Sequence, residues 1–365
     1  MLSGKGFFIW KILECHDGDV VEIAEKAHYA NLSHVLIKIA NGIYSYNYDW
    51  EKNLDLVPDL AQELWARGIE VWGWHYVFGD QPTQEANKAI SRIQELNVDG
   101  FVIDAEGHYK NKFSSARTFM DRLTSEITDI PIALSSYRYP SYHPQLPWDE
   151  FLSQCDLNMP QVYWLKAHNP GAQLERCVEE FRNLEYTPPI FPTGAAFTEW
   201  GWSPTADEVE AFLIRAQALN LPGANFWEWA NCKDKLPPDI WQTIKDYPWE
   251  AAPSPPEDIT EALIMALNSH DPSQVMALYQ DQAVHITSNR TIQGKDALTQ
   301  WYQSLFTEIL PEGEFTLTGF SGTGNIRHLT WTASSSQGEV LNGRDTLGLL
   351  EDKISYHFSE FTVSG

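Results

Sequence analysis

Up to about residue 247, short apolar runs of β character alternate with helical patterns at intervals of 25 to 35 residues. The runs fall at 6–12, 34–40, 69–76, 100–104, 131–136, 157–163, 189–194 and 223–227. Between them, a periodicity near 3.6 predicts helices at 19–30, 54–67, 83–96, 114–127, 173–184 and 205–218. Ser114 and the capping-box pattern Thr205-Ala-Asp-Glu mark two of the helix starts. Eight strand–helix units in about 245 residues are the count and length of a (β/α)8 TIM barrel, an α/β fold. A doubly wound open sheet is the competitor, but no glycine-rich phosphate loop follows the first strand.

The pattern breaks at 247–258 (YPWEAAPSPPED), where four prolines and small residues read as a semi-rigid linker. Beyond it, helices are expected at 257–265, 272–279 and 296–308. Strands follow at 314–320, 327–333, 339–350 and 353–362. Helices followed by a curved antiparallel sheet make an α+β cone. The expected organisation is a barrel over 1–248, a linker at 249–256 and a second domain over 257–365.

Composition narrows the function classes. Fifty acidic against 25 basic residues give a net charge of −25, with both parts of the chain acidic. Nucleic acid and anionic membranes are therefore poor partners. No apolar run approaches a membrane span, and the first residues lack the features of a signal peptide, so a cytoplasmic location is expected. Four scattered cysteines suggest reduced structural thiols, and no spacing suggests a metal site or cofactor. Thirteen of the 15 tryptophans precede residue 250, so the two parts are compositionally different objects.

The sharpest candidate site is 101–106 (FVIDAE) on the fourth strand. Period-two alternation turns Phe101, Ile103 and Ala105 toward the helices, and Val102, Asp104 and Glu106 into the barrel. Two carboxylates then share one face at the C-terminal end of a barrel strand, where barrel enzymes place their chemistry. Neighbouring carboxylates in an aromatic pocket raise each other's proton affinity, so one can stay protonated while the other ionises. The bland alternative is an ion-paired couple holding Lys38 or Lys11.

Trp10, Trp74, Trp164, Trp202, Trp227 and Trp229 all fall at or just past strand C-termini. Flat indoles stack on the C–H faces of sugar rings; packing at the barrel rim is the alternative. Tyr76, Tyr137, Gln161 and Tyr163 are expected to hydrogen-bond in the cleft, and Lys38 to neutralise the carboxylates. Glu228 is a third candidate carboxylate, its direction ambiguous. His75 and His108 read better as satisfied histidines than as metal ligands.

Four of these stretches resemble the family 25 glycoside hydrolases over residues 5–232. They are VLIKIANG at 35–42, GWHY at 73–76, the Asp104-Ala105-Glu106 triplet and Trp227-Glu228-Trp229. That resemblance implies a lysozyme-type barrel cutting peptidoglycan. The family's first strand carries an aspartate, however, and here Gly6-Phe7-Phe8-Ile9-Trp10-Lys11 has none; Gln161 stands where the sixth strand could offer a carboxylate. Residues 257–363, through NRTIQGKDAL at 289–298 and GRDTLGLLEDKI at 343–354, resemble the SnoaL-like branch of the nuclear transport factor 2-like superfamily. This implies a cavity lined by Tyr279, His285, Trp301, Trp331 and Asp345, and a binding or dimerising role.

The expected function is cleavage of an N-acetylhexosamine-containing glycan, with Glu106 as general acid/base and Asp104 assisting. A catalytically silent glycan-binding barrel is the alternative, as is a barrel that merely scaffolds the second domain. A homodimer is expected through the second domain, with an apolar stripe from 328–333 (HLTWTA) and 356–362.

Overall fold

The computed structural model describes residues 2–249, 258–322, 324–350 and 352–364. The expected linker positions 250–256 lie outside the described residues. The chain divides into two compact units, Met1–Ala252 and Pro253–Gly365.

In the first unit, eight parallel strands close on themselves. They are β1 (Gly4–Ile9), β2 (Leu32–Asn41), β3 (Glu70–Val77), β4 (Gly100–Ala105), β5 (Ile132–Tyr137), β6 (Leu157–Val162), β7 (Thr193–Ala195) and β8 (Gly223–Trp227). Each pairs with the next, and β8 returns to β1 through Gly4↔Gly223 to Phe7↔Phe226. Strand β7 is far shorter than expected, because Pro188, Pro189 and Pro192 withhold amide donors before it.

Alternation builds two cores. Phe8, Leu36, Trp72, Trp74, Val102 and Met159 fill the barrel interior. Phe7, Ile37, Phe101, Ile103 and Ala105 face the helices instead. Gly100 is forced by the inner layer: a Cβ there would sit 2.4 Å from the Trp72 ring.

Helices α1 (Val20–Tyr29), α2 (Val57–Trp65), α3 (Pro82–Leu96), α4 (Phe113–Thr124), α5 (Trp148–Leu152), α6 (Pro170–Arg182), α7 (Ala206–Ala218), α8 (Trp229–Asp234) and α9 (Pro238–Asp246) belong to this unit. Asp19 caps α1 and Thr205 caps α7 in a capping box. Ser114 is not a cap: α4 already starts at Phe113, and Lys112 holds the cap position without a side-chain bond. The Lys5 ammonium on β1 donates to the carbonyls of Ile244, Lys245 and Tyr247, closing the C-terminus of α9.

The second unit opens with α10 (Ile259–Asn268) and α11 (Pro272–Ala277), and α12 (Lys295–Ser304) follows two strands later. Its six strands are β9 (Tyr279–Ile286), β10 (Thr291–Gln293), β11 (Glu314–Ser321), β12 (Ile326–Ser335), β13 (Gly338–Leu350) and β14 (Lys353–Glu360). They lie in the order β10-β9-β14-β13-β12-β11. Strands β9 and β10 were not expected, and the β9–β14 pair is parallel, so the sheet is mixed rather than wholly antiparallel.

The expected apolar stripe is only half outward. Leu329, Trp331 and Ala333 face the core, because the buried positions of β12 are these three. Tyr356 and Phe358 do face out, with Ile326 exposed on β12. Among the described residues, no helix is long and apolar enough to cross a membrane, and no cluster of His, Cys, Asp or Glu could hold a metal ion. All four cysteines are free.

Candidate functional site

At the C-terminal ends of the barrel strands lies a cavity of about 560 Å³. Parallel register places its floor. Tyr76 on β3, Asp104 on β4 and Ser135 on β5 are direct partners, and Tyr137 is level with Gln161 one step further on. All five line the cavity with Glu106, Lys38, Trp74, Tyr163 and Trp227, while Trp10 lines it and stays 41% exposed. Apart from Ser135, these are ten of the expected barrel residues, Asp104 and Glu106 among them, brought together.

Gln161 is the hinge of the polar floor. Its Nε2 donates to Glu106 Oε1 at 2.9 Å and lies 3.3 Å from Asp104 Oδ1. Asp104 is buried and hydrogen-bonds Glu106. Burial first, and the Glu106 charge second, hold the Asp104 carboxyl well above the usual carboxylate range, against the pull of Lys38. Asp104 is the more deeply buried of the two carboxyls, on the strand proper.

Lys38 forms no ion pair with either carboxylate within 4.0 Å, nor does Lys11, which pairs with Glu14 at the surface. The Lys38 ammonium lies over the rings of Tyr46 at 4.4 Å and Trp74 at 4.6 Å. Burial lowers its pKa to about 8, and the attraction of Asp104 and Glu106 only partly offsets this.

The aromatic walls meet where the first-strand carboxylate is missing. Phe8 packs 5.6 Å from Trp227 and 6.0 Å from Trp74, and Trp10 lies 6.2 Å from Trp227. Tyr76 Oη is 2.8 Å from His108 Nδ1, and Tyr137 stacks on His143 at 3.7 Å. His75 is buried, with Nε2 on the Gly42 carbonyl and Nδ1 without a hydrogen-bond partner.

Four expected residues lie elsewhere. Glu228 caps α8, its carboxylate accepting from the Asn231 and Ala230 amides. Trp229 is the first residue of α8 and packs on Phe7 and Trp241 behind the barrel wall. Trp164 turns back to the helices, donating to Glu208, and Trp202 packs beside it. In exchange, Arg138, Tyr139, Tyr142, His143, Glu199 and Trp200 line the cavity. The run Tyr137-Arg138-Tyr139-Pro140-Ser141-Tyr142-His143, directly after a barrel strand, was the signal for four of them.

A stability consequence follows from Asp104. A carboxyl with a raised folded pKa contributes stability below its ordinary 3.8, and this is lost as pH climbs toward the folded value. Asp104→Asn, neutral at every pH, should therefore match wild type near pH 3.5 and exceed it near pH 8 by about 1 kcal/mol. Melting curves at the two pH values measure this; a variant less stable at the higher pH contradicts the burial argument.

In the second unit, Tyr279, His285 and Asp345 belong to one buried polar network. Tyr279 Oη lies 2.6 Å from Tyr302 Oη and 2.5 Å from His357 Nδ1. His357 Nε2 is 3.1 Å from Asp345 Oδ2, and the His285 and His357 rings stack at 4.0 Å. His285 Nε2 bonds Ser359 at 2.8 Å, and burial, then His357, lowers the His285 pKa. Tyr302, His357 and Ser359 had not been singled out. Tyr279, Trp301 and Trp331 are core side chains, and Asp345 also borders a groove of about 340 Å³ beside Phe320, Leu329 and Arg344.

Residues 260–357 match the SnoaL-like domain family. Over that stretch the second unit resembles the SnoaL-like domains. The match does not extend to the barrel. No curated protein matches the chain. Similar solved structures include a protein with a ketosteroid isomerase-like fold from Catenulispora acidiphila in complex with trimethylamine, at 12% identity and TM-score 0.26. The match covers 29% of this chain and 85% of that one. Another is a SnoaL-like protein of unknown function from Burkholderia thailandensis, at 10% identity and TM-score 0.25, covering 28% and 91%.

Proposed function

We propose that the first unit is a TIM-barrel glycosidase acting on an N-acetylhexosamine-containing, peptidoglycan-like glycan. The observation that carries this reading is the hydrogen-bonded Asp104–Glu106 pair at the floor of an aromatic-walled cavity, where burial tightens the hold of Asp104 on its proton. Passing that proton along the hydrogen bond arms Glu106 to protonate a glycosidic oxygen. It also leaves Asp104 as an anion facing the positive charge that develops in the transition state. Phe8 and Trp10 occupy the first-strand side of the cavity, so no enzyme carboxylate stands there as a nucleophile. The substrate's own acetamide is then the economical nucleophile. Turnover of a labelled N-acetylglucosamine oligomer tests the reading. Binding without cleavage favours the silent glycan-binding barrel, which the missing first-strand carboxylate also supports.

For the second unit, the SnoaL-like match and the buried Tyr279–His357–Asp345 chain support a cone with a ligand-binding or isomerase-type role. Its outward Tyr356, Phe358 and Ile326 support a homodimer of this chain through the sheet. Sedimentation of the whole chain at micromolar concentration should give a dimer that Phe358→Asp dissociates. A wild-type monomer would overturn this.

A further inference from the structure

Glycoside cleavage leaves one cavity residue without a task. Lys38 projects from β2 into the cavity and is 5% exposed. Among the described residues, its ammonium has no carboxylate within 4.0 Å and no hydrogen-bond acceptor. Instead it is ringed by Tyr46, Trp74, Trp10 and Tyr76, at 4.4, 4.6, 5.7 and 5.7 Å from their centroids. The titratable groups around it are Asp104, Glu106, Tyr46, Tyr76 and His75. The rings hold the ammonium by cation–π contact in place of an ion pair, and the burial that lowers its pKa brings the neutral amine within reach near neutral pH.

We propose that Lys38 is a nucleophilic amine that captures a carbonyl ligand, of the hydroxy-aldehyde class that includes open-chain sugars, as an imine. The neutral Nζ attacks the carbonyl carbon: a C–N bond forms, the C=O π bond breaks, and the nitrogen proton passes through Glu106 to the oxygen. Asp104 then donates its proton to the resulting hydroxyl, which leaves as water. The products are a protonated Lys38 imine and an ionised Asp104, so atoms and charge balance without a redox partner. This site stands independently of glycoside cleavage, since it needs neither an acetamide nor a glycosidic bond.

Burial supports the geometry. An amine near pKa 8 is uncharged on the order of a hundred times more often at about pH 7.5 than one at the ordinary 10.5. The experiment is to expose the whole chain to glycolaldehyde at that pH, trap with borohydride, digest, and map the added mass by peptide. The expected result is an adduct on Lys38 exceeding that on any surface lysine at least tenfold, with Asp104→Asn slowing it severalfold. Labelling at Lys38 should rise through about pH 8. An unlabelled Lys38, or adducts spread evenly over the lysines, overturns the proposal. The wild-type peptide map decides without a variant, so a Lys38→Arg chain that fails to fold would not obscure the answer.

Discussion

Glu106→Gln should abolish cleavage of an N-acetylglucosamine oligomer while leaving its binding within a few-fold of wild type. The amide keeps the carboxylate's shape and can still hydrogen-bond both Asp104 and Gln161. It has no proton of suitable acidity to give a leaving oxygen. Loss of a positioned general acid costs on the order of 10²- to 10⁴-fold in rate. The pH profile adds a second signature. In wild type, activity should fall as pH rises past the point where the Asp104–Glu106 pair gives up its shared proton, a joint titration. Because burial and Glu106 raise that proton's affinity, the falling limb should lie well above the ordinary carboxylate range. Initial rates across pH 4 to 8 measure it. A Gln variant that still turns over near the wild-type rate removes Glu106 from the chemistry.

Trp74→Ala should cost about 3–5 kcal/mol, the range for deleting a large buried aromatic. Trp74 is 1% exposed, donates Nε1–H to the Ile9 carbonyl at 3.0 Å, and meets Trp227 edge-on at 5.3 Å. Removing it opens a void between β1, β3 and β8 that Phe8 cannot fill without leaving its rotamer. It also strips one wall from the Lys38 cage, so that lysine's pKa should climb back toward 10.5 as water enters. Urea unfolding measures the stability change. A loss below about 1 kcal/mol would mean that the aromatic layer is loosely packed.

What the sequence disclosed depended on whether a residue lay inside a regular element. On β4 the two-residue period was unbroken to Ala105, and the inward placement of Asp104 and the helix-facing set around it followed directly. At Trp227 the same rule failed one residue later. The strand ends there and α8 begins, so Glu228 became a cap and Trp229 turned behind the wall. Trp164 failed likewise, two residues beyond the end of β6. Strand β9 escaped notice because Gln280, Asp281 and Gln282 interrupt its apolar positions, and its register to β14 shifts between Tyr279 and Val284. On β14 the usual polarity is reversed: His357 and Ser359 point inward while Tyr356 and Phe358 point out. Alternation alone would have assigned the aromatics to the core. The raised proton affinity of Asp104 was beyond sequence, since it depends on how deeply that carboxyl is buried.

The closure between the first and last barrel strands has a consequence for biosynthesis. Strand β1 leaves the ribosome first but finds its second neighbour only when β8 arrives, and Lys5 finds its acceptors only at Ile244–Tyr247. Until then the nascent sheet carries two unpaired edges, one of them bearing Phe7 and Phe8, the kind of template on which other chains nucleate. Most of the barrel must therefore wait on the ribosome in an open, sticky form until the residues up to Tyr247 have emerged.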